Sequence, residues 1–401
     1  MVSDFDQLFY ADSYQTVFSA KVTDQKSSDG KYWLALTQTC FYPEGGGQPG
    51  DQGEIFVSSL DSVDNNQDKQ VIKVLHTILK DDIIWHQVSD LIPEGTEVQG
   101  EIDFNNRYDL MQQHSAEHIV SGIVNRKYGY DNVGFNINNE EMTFDFNGDL
   151  TWEQILEIED EANQAVFKNI PIEIHYLTPE QQQSWTYRSK LELGENVRVV
   201  VVPNYDTCAC AGTHLKTTGE IGQIKIIKRE SYKGGVRLTA LCGLRALKYF
   251  QKLHEVIQET GELLSANLDN LVELVKYNQT EILELKQEIN KRNNAWLELY
   301  KKNISPNTQQ IIIKNQIFNK NEWLYVCRYL FEKVEKFVCL LTEISAEKYM
   351  IFMYSETVDL RAKIPELKKT FDFKGGGNAS SIQGPLIGDY QKIVKFLSEI
   401  A

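Results

Sequence analysis

The pattern of apolar and polar positions changes its period along the chain. From about residue 15 to residue 100, short segments with alternating apolar and polar residues are separated by turn residues, which is typical of half-buried β-strands. These segments cover residues 17–22, 32–37, 53–57, 71–79 and 97–104. They predict a small β-barrel or sandwich. The polar stretch 61–69, which contains Asn65 and Asn66, predicts a loop at the end of a hairpin.

After residue 100 the spacing becomes helical. Apolar residues recur near one helix face over 103–128, and a second helix is predicted over 152–167. Strands are predicted over 173–176, 197–202, 222–228 and 236–241. Helices packed on a mostly antiparallel sheet give an α+β domain.

The last third of the chain combines long helices with a further compact region. Residues 246–301 carry apolar side chains at steps of three and four, which predicts a helical hairpin or coiled coil with a bend near Gly261 and 265–270. Strands are predicted near 310–313, 337–341 and 349–354, with a glycine-rich loop at 375–377 before the last helix. The fold class is therefore predicted as α+β in four parts. They are a β-barrel (1–100), an α/β domain (101–245), a helical linker (246–303) and a small C-terminal α/β domain (304–401).

Composition agrees with a folded chain and narrows the class of protein. Hydrophobic residues make up 42% and charged residues 24% of the 401 positions, which argues against extended disorder. Apolar runs are too short to cross a bilayer, and the N-terminus does not have the order of a secretion signal, so a cytoplasmic location is expected. Six scattered cysteines do not form a disulfide framework.

Charge argues against broad attraction to nucleic acid, because the formal net charge is −16. Binding to a polyanion would require basic residues to gather on one face. One run offers this, although a solvated surface is its simpler interpretation. The run consists of Lys225, Lys228, Arg229, Lys233, Arg237 and Arg245.

Candidate chemistry lies in two matching four-residue spacings. His114 and His118 are one turn apart in a predicted helix, so both imidazoles can reach one ion. Cys210 and His214 repeat the spacing far downstream. Three imidazoles and a thiolate are ligands that favour zinc. Cys208 is a competing thiol, although a small buried apolar residue is the plainer interpretation of it.

These residues, together with Phe-Tyr-Pro-Glu-Gly-Gly-Gly-Gln-Pro-Gly-Asp at 41–51, resemble the editing domain of alanyl-tRNA synthetase and its free-standing relatives, the AlaX proteins. The resemblance continues through 197–200, 210–214 and 219–226 and covers about residues 10–245. The helical segment and Gly-Gly-Gly-Asn-Ala-Ser at 375–380 are similar to the carboxyl-terminal part of the synthetase. The long form of AlaX is therefore the best overall analogue.

The resemblance implies a zinc-dependent hydrolase that removes a wrong amino acid from tRNA(Ala), chiefly serine, with glycine as a second candidate. It makes 101–245 the zinc-binding editing domain. It also implies that 304–401 aids tRNA binding and allows a homodimer through the coiled coil and this domain. No ATP chemistry is expected, because the loop 45–51 lacks the Lys-Ser/Thr ending of a phosphate loop.

The same resemblance supplies the candidate site residues. The metal ligands are His114, His118, Cys210 and His214; the catalytic candidates are Thr39, Gln48, Gln113 and Glu117; the substrate-binding candidates are Gly45, Gly46, Gly47, Asp145 and Arg198. Thr39 matches a family position that discriminates serine from alanine, and is otherwise an ordinary strand threonine. Glu117 could act as a general base through water, but a place on the helix surface is favoured.

The remaining candidates also have plainer interpretations. Glycines 45–47 could offer backbone N–H groups to an ester or phosphate oxygen, or form a tight turn. Asp145 and Arg198 could orient ligands or bind the terminal adenosine, although lone charges in strands are more often members of ion pairs.

Several alternatives stay open at this point. Zinc could activate water or hold the amino group of the substrate. Four protein ligands would close a tetrahedral shell, so His214 either completes that shell or yields to substrate and water. The rival functions are a non-catalytic tRNA-binding module with structural zinc and a zinc protease with the inverted motif His114-x-x-Glu117-His118. The editing domain of threonyl-tRNA synthetase shares the metal spacing, which keeps a different tRNA open.

Overall fold

The computed structural model describes residues 7–57, 70–189 and 197–399. The chain divides into two compact units, Met1–Glu259 and Thr260–Ala401. The described elements confirm the predicted α+β class and a closed barrel near the N-terminus. The predicted division into four domains stays a prediction, and the loop predicted at 61–69 lies outside the described residues. No helix in the described ranges is long and apolar enough to cross a membrane.

A closed antiparallel barrel of six strands follows a short helix, α1, at Leu8–Ala11. The strands are β1 Val17–Ser28, β2 Lys31–Leu36, β3 Gly53–Val57, β4 Gln70–Lys80, β5 Ile83–Val88 and β6 Glu97–Ile102, adjacent in the order β1-β2-β5-β4-β3-β6. Strand β5 was not predicted. The turn before it consists of Asp81 and Asp82, both with positive φ, a conformation usually signalled by glycine or asparagine.

The rest of the first unit packs helices on two antiparallel sheets. Its helices are α2 Phe104–Tyr128, α3 Trp152–Lys168, α4 Pro179–Ser184 and α5 Gly243–Leu264, with a 3₁₀ turn at Thr218–Ile221. The strands are β7 Asn132–Ile137, β8 Met142–Phe146, β9 Glu173–Leu177, β10 Val197–Val202, β11 Asp206–Ala209, β12 Ile224–Tyr232 and β13 Gly235–Cys242. They form one sheet in the order β11-β10-β9 and another in the order β12-β13-β8-β7.

Helix α2 is the central element of this unit. The Asp103 side chain caps its first turn by accepting from the backbone N–H of Asn106, and Gly129 ends it in the left-handed conformation. Between these ends, residues 110–124 are all buried, including several polar side chains. Buried polar groups need hydrogen-bond or metal partners, so this helix is where the sequence places its chemistry.

A buried ion pair joins the barrel to helix α2. The Arg107 side chain has no exposed surface, and its Nε lies 3.0 and 2.9 Å from the two carboxylate oxygens of Asp51. The guanidinium also donates to the backbone carbonyls of Cys40 and Ser13. The segment 41–51 is thereby fastened to the helix that carries His114.

The second unit contains one mixed sheet with an apolar core on each face. Its helices are α6 Leu271–Lys302, α7 Trp323–Phe331, α8 Ile364–Phe371 and α9 Tyr390–Glu399, with a 3₁₀ turn at Arg361–Lys363. The strands are β14 Gln310–Lys314, β15 Phe337–Ser345, β16 Lys348–Tyr354, β17 Gly376–Gly377 and β18 Ser381–Ile387, in the order β14-β15-β16-β18-β17. Only the β14–β15 pair is parallel among these described strands.

Two predictions for this part of the chain are refined by the structure. The glycine-rich stretch 375–377 is partly an edge strand, β17, and strand β18 lies between it and the last helix. The long helical region is interrupted at 265–270, where the bend was predicted, and Ser265 there has a positive φ. Helix α6 leaves many apolar side chains exposed, among them Val272, Ile282 and Leu285.

Candidate metal centre

Four side chains from helix α2 and the turn after strand β11 converge on one point. The possible ligand atoms of His114, His118, Cys210 and His214 all lie within 4.8 Å of one another. Sγ of Cys210 is 3.4 Å from Nε2 of His114 and 3.6 Å from Nε2 of His214, and the latter atom is 3.1 Å from Nε2 of His118. Tetrahedral nitrogen and sulfur ligands of zinc would stand about 3.3 to 3.5 Å apart. The donor set and its spacing therefore fit one zinc ion.

Local geometry explains why this turn can approach the helix. Gly212 lies so close to His114 that a Cβ atom on it would be 2.1 Å from Cε1 of that ring. Only glycine leaves room for the imidazole, so its place between Cys210 and His214 is dictated by contact. The backbone N–H of Gly212 also donates to Sγ of Cys210 at 3.4 Å.

Gln48 orients the first histidine. Its side-chain oxygen accepts from Nδ1 of His114 at 2.8 Å and from the backbone N–H of Thr213 at 3.2 Å. Its amide nitrogen donates to Oγ1 of Thr213 at 2.8 Å, which fixes which end of the amide faces the ring. A proton on Nδ1 leaves the lone pair of Nε2 directed at the cluster. The structure therefore places Gln48 behind His114, where it holds a ligand.

Asp206 orients the second histidine, and sequence reasoning missed it. Its Oδ2 accepts from Nδ1 of His118 at 2.8 Å, and both partners are buried. Arg188, also missed, donates to both carboxylate oxygens of Asp206 at 2.7 and 2.8 Å. Asp206 could have been suspected because it stands four residues before Cys210 in the chain. Arg188 gives no such signal, since only the fold brings it to this strand.

The four side chains differ in proton affinity when considered by themselves. Burial raises the pKa of the Cys210 thiol, but the neighbouring imidazoles of His114 and His214 outweigh it and hold the pKa well below its usual range. Burial lowers the pKa of His118, whereas hydrogen bonds to Asp206 and Cys210 raise it to about 10. Burial lowers the pKa of His214 to about 3. A thiolate is the form in which cysteine binds a metal, so this environment suits a ligand.

Cys208 lies on the other side of this arrangement. It is close to His118 and Asp206, but the atoms facing it there are already joined by a hydrogen bond. Burial raises the pKa of the Cys208 thiol, in contrast to Cys210. These observations favour the plainer interpretation of Cys208 as a small buried residue.

Glu117 is not on the helix surface, so that part of the prediction was wrong. It is 3% exposed, and its Oε1 accepts from the hydroxyl of Ser121 and the side-chain amide of Asn132. The prediction assumed that α2 has a solvated face, whereas the helix is buried on all sides at this level. With at least two donors on one oxygen, the carboxylate holds strand β7 against the helix.

Three other candidates have partners away from the four ligands. The Thr39 hydroxyl is buried in the barrel, 2.9 Å from Nε2 of His86, and accepts from the backbone N–H of Phe41. The Gln113 side chain pairs with the backbone N–H and carbonyl of Cys242. Their predicted catalytic roles stay predictions.

Asp145 forms a two-pronged ion pair with Arg237 on the neighbouring strand, at 2.6 and 2.7 Å. This agrees with its plainer interpretation as an ion-pair member. The basic run behaves in the same way. The structure pairs five of its six members with carboxylates: Lys225 with Glu159, Lys228 with Glu230, Arg229 with Asp149, Arg237 with Asp145 and Arg245 with Asp109. This run is therefore a largely neutralised surface.

The glycine segment forms a tight turn beside the cluster. Gly45 and Gln48 exchange backbone hydrogen bonds, and Gly46 and Gly47 have positive φ. A Cβ atom on Gly47 would lie 2.5 Å from the carbonyl oxygen of Phe135, whose ring contacts His114. The turn borders a cavity of about 330 Å³ that is also lined by Asn136 and Ile137.

Arg198 is the substrate-binding candidate that lies closest to the ligands. Its Nη1 donates to the backbone carbonyl of Cys210 at 2.6 Å, and the guanidinium lies over the ring of Tyr10. Its Nε is buried and has no hydrogen-bond partner among the described residues. The structure therefore brings this cation to the edge of the metal centre.

Comparison with known proteins gives two family matches and several relatives of similar length. Residues 197–239 match the threonyl and alanyl tRNA synthetase second additional domain, and residues 5–106 match the class II (A) tRNA synthetases. The chain is 28% identical over 397 residues to the alanyl-tRNA editing protein AlaX-L of Pyrococcus horikoshii, covering 94% of each chain.

Alanine--tRNA ligases are also similar. Those of Pyrobaculum aerophilum and Pyrobaculum arsenaticum are 31% and 32% identical over 97% and 98% of this chain. The chain spans nearly the whole of the editing protein but only 43% and 44% of these two ligases.

Proposed function

The chain is a homologue of the AlaX editing proteins in their long form, and from this we propose that it is a zinc-dependent hydrolase that deacylates mischarged tRNA(Ala). Serine is the chief amino acid removed, with glycine as a second. The observation that supports this most strongly is the convergence of His114, His118, Cys210 and His214 in a chain related to an editing protein over 94% of its length.

These four residues would hold the zinc ion. Bound there, zinc would supply a Lewis acid able to activate water or to hold the amino group of the substrate. The ligands are anchored unequally, because Gln48 and Asp206 fix His114 and His118, whereas Nδ1 of His214 is buried without a hydrogen-bond partner among the described residues. This difference supports His214 as the ligand that yields a position during the reaction.

The neighbouring residues would bind the aminoacylated end of the tRNA. A buried donor left without a partner costs about 1–3 kcal/mol, so the Nε of Arg198 is suited to receive an acceptor from the substrate. The turn at Gly45, Gly46 and Gly47 and its adjoining cavity offer room for the terminal nucleotide. An aminoacyl ester is already activated, so positioning and stabilisation of the oxyanion account for most of what the protein must provide.

Contact with the body of the tRNA needs positive charge that the paired run does not supply. In the second unit Arg361, Lys363, Lys368 and Lys369 form a short basic stretch in and beside helix α8, and none has a carboxylate partner among the described residues. We assign tRNA binding to this stretch. The homodimer through the coiled coil and C-terminal domain stays a proposal.

The test uses His118→Ala and a panel of Ser-, Gly-, Ala- and Thr-charged tRNAs. The wild-type chain should contain one zinc ion and hydrolyse Ser-tRNA(Ala) faster than Ala-tRNA(Ala), and the variant should lose both zinc and hydrolysis. Zinc content is measured by metal analysis and deacylation by release of labelled amino acid. Full hydrolysis by a zinc-free variant would refute the proposal.

A second candidate is a tRNA-binding module with structural zinc, which the closed set of four ligands favours. It predicts zinc and tRNA binding in the wild-type chain with no deacylation of any charged tRNA. The protease alternative finds less support, because the Glu117 carboxylate is bonded to Ser121 and Asn132 and the other donors include a thiol.

A further inference from the structure

A line of three side chains leads from the metal centre to the surface of the first unit. Nδ1 of His118 donates to Oδ2 of Asp206 at 2.8 Å. Arg188 then donates through Nε to Oδ1 at 2.7 Å and through Nη2 to Oδ2 at 2.8 Å. The Asp206 side chain is 2% exposed and that of Arg188 is 17% exposed. The guanidinium thus separates the buried carboxylate from solvent.

The fork of Arg188 fixes the orientation of the Asp206 carboxylate. Two parallel N–H donors define both the position and the plane of a carboxylate, which a single ammonium group cannot do. Arg188 is itself held on the metal-bearing strand, because its backbone N–H donates to Thr207 and its carbonyl accepts from Ala209. The carboxylate that orients His118 therefore has a rigid support on its far side.

We propose that Arg188 is a positioning residue for the metal centre, acting through Asp206 to set the direction in which His118 presents Nε2. This inference rests on the metal-binding part of the proposed function and adds a residue to it. Hydrogen-bonded carboxylates behind metal-binding histidines tune affinity, and their loss typically weakens binding by about 10–100-fold. Loss of Arg188 should have an effect in that range because it frees the carboxylate to rotate.

The surroundings of Arg188 permit a test by chemical rescue. Its outer side faces a cavity of about 710 Å³ that is also lined by Asn125, Tyr187 and Tyr205. Arg188→Ala removes the guanidinium and leaves its place reachable from that cavity. Added methylguanidinium can then occupy the place and restore the two hydrogen bonds to Asp206, whereas methylammonium offers no fork.

The experiment measures the zinc dissociation constant of the 401-residue chain by competition with a chromogenic chelator. The variants are Arg188→Ala, Arg188→Lys and, as a matched control, Arg237→Ala. Arg237 makes the same two-pronged contact, with Asp145 at 2.6 and 2.7 Å, on a strand that carries none of the four ligands. Thermal unfolding of each zinc-loaded protein reports whether the fold is retained.

We expect Arg188→Ala and Arg188→Lys to weaken zinc binding by about 10–100-fold and Arg237→Ala to leave it within about twofold. Methylguanidinium should restore most of the affinity of Arg188→Ala, with no gain from methylammonium and no change in the control. Equal zinc affinity in wild type and both Arg188 variants would overturn the inference, as would rescue by both amines alike. If Arg188→Ala does not fold, Arg188→Lys carries the same reading, because it keeps the charge and most of the volume. A wild-type chain that binds no zinc would instead overturn the proposed function.

Discussion

Substitution of Gly212 by alanine tests the packing of the metal centre most directly. The added Cβ would lie 2.1 Å from Cε1 and 2.4 Å from Nδ1 of His114. Ordinary carbon contacts are about 3.5 Å, so the ring or the turn must move by more than about 1 Å. Either movement displaces a ligand, because His114 stands on one side of the contact and Cys210 and His214 on the other. Metal–ligand distances tolerate changes of only about 0.2 Å.

We therefore expect Gly212→Ala to weaken zinc binding by at least about 100-fold, equivalent to about 2.7 kcal/mol. The variant should also lose hydrolysis of Ser-tRNA(Ala). The assay is chelator competition on the purified chain, with circular dichroism as a check of folding. Gly376→Ala is the matched control, since a Cβ there meets no atom within 4 Å and the position lies in the other unit. Zinc affinity in Gly212→Ala equal to that of the control would refute the steric reasoning.

Three further predictions follow from buried and charged groups. Arg107→Met should lower the free energy of unfolding by about 3–5 kcal/mol in urea titrations, because it leaves the Asp51 carboxylate buried without its partner; a change below about 1 kcal/mol would contradict this. Burial lowers the pKa of His86 to about 4, so the unfolded chain, with a pKa of about 6.5, binds the additional proton as pH falls. Stability should therefore be complete above about pH 6.5 and decline toward pH 4 by on the order of 3 kcal/mol, and His86→Gln should flatten this part of the profile; an equally steep decline in the variant would assign the effect to other groups. The double change Lys368→Glu and Lys369→Glu should weaken tRNA binding and reduce its salt dependence without altering single-turnover hydrolysis of bound substrate, and an unchanged dissociation constant would remove the basic stretch from the proposed interface.

The sequence carried the metal cluster because helical spacing is a local property. His114 and His118 face the same side of any α-helix, and the matching pair at Cys210 and His214 made coincidence improbable. The structure brings all four together. Barrel strands were predictable for the same reason, except β5, whose preceding Asp81-Asp82 turn lacks the usual glycine.

The supporting residues were not predictable because their contacts are made in three dimensions. Arg188 and Asp206 meet His118 only after helix α2 packs against strand β11, and no periodicity relates them. Burial of Glu117 was missed because a helix covered on all sides has no solvated face to which the spacing rule applies. Family resemblance located Thr39 but did not reveal that its hydroxyl contacts His86 within the barrel.

The contacts of Gln48 have a consequence for how the protein matures during synthesis. Gln48 is in the N-terminal fifth of the chain, yet it bonds to His114 and to Thr213, more than 160 positions later. A nascent chain cannot build a fully oriented centre until His214 has left the ribosome and the barrel has docked. Under the proposed zinc binding, metal uptake would therefore act as a late checkpoint that rewards only correctly assembled molecules.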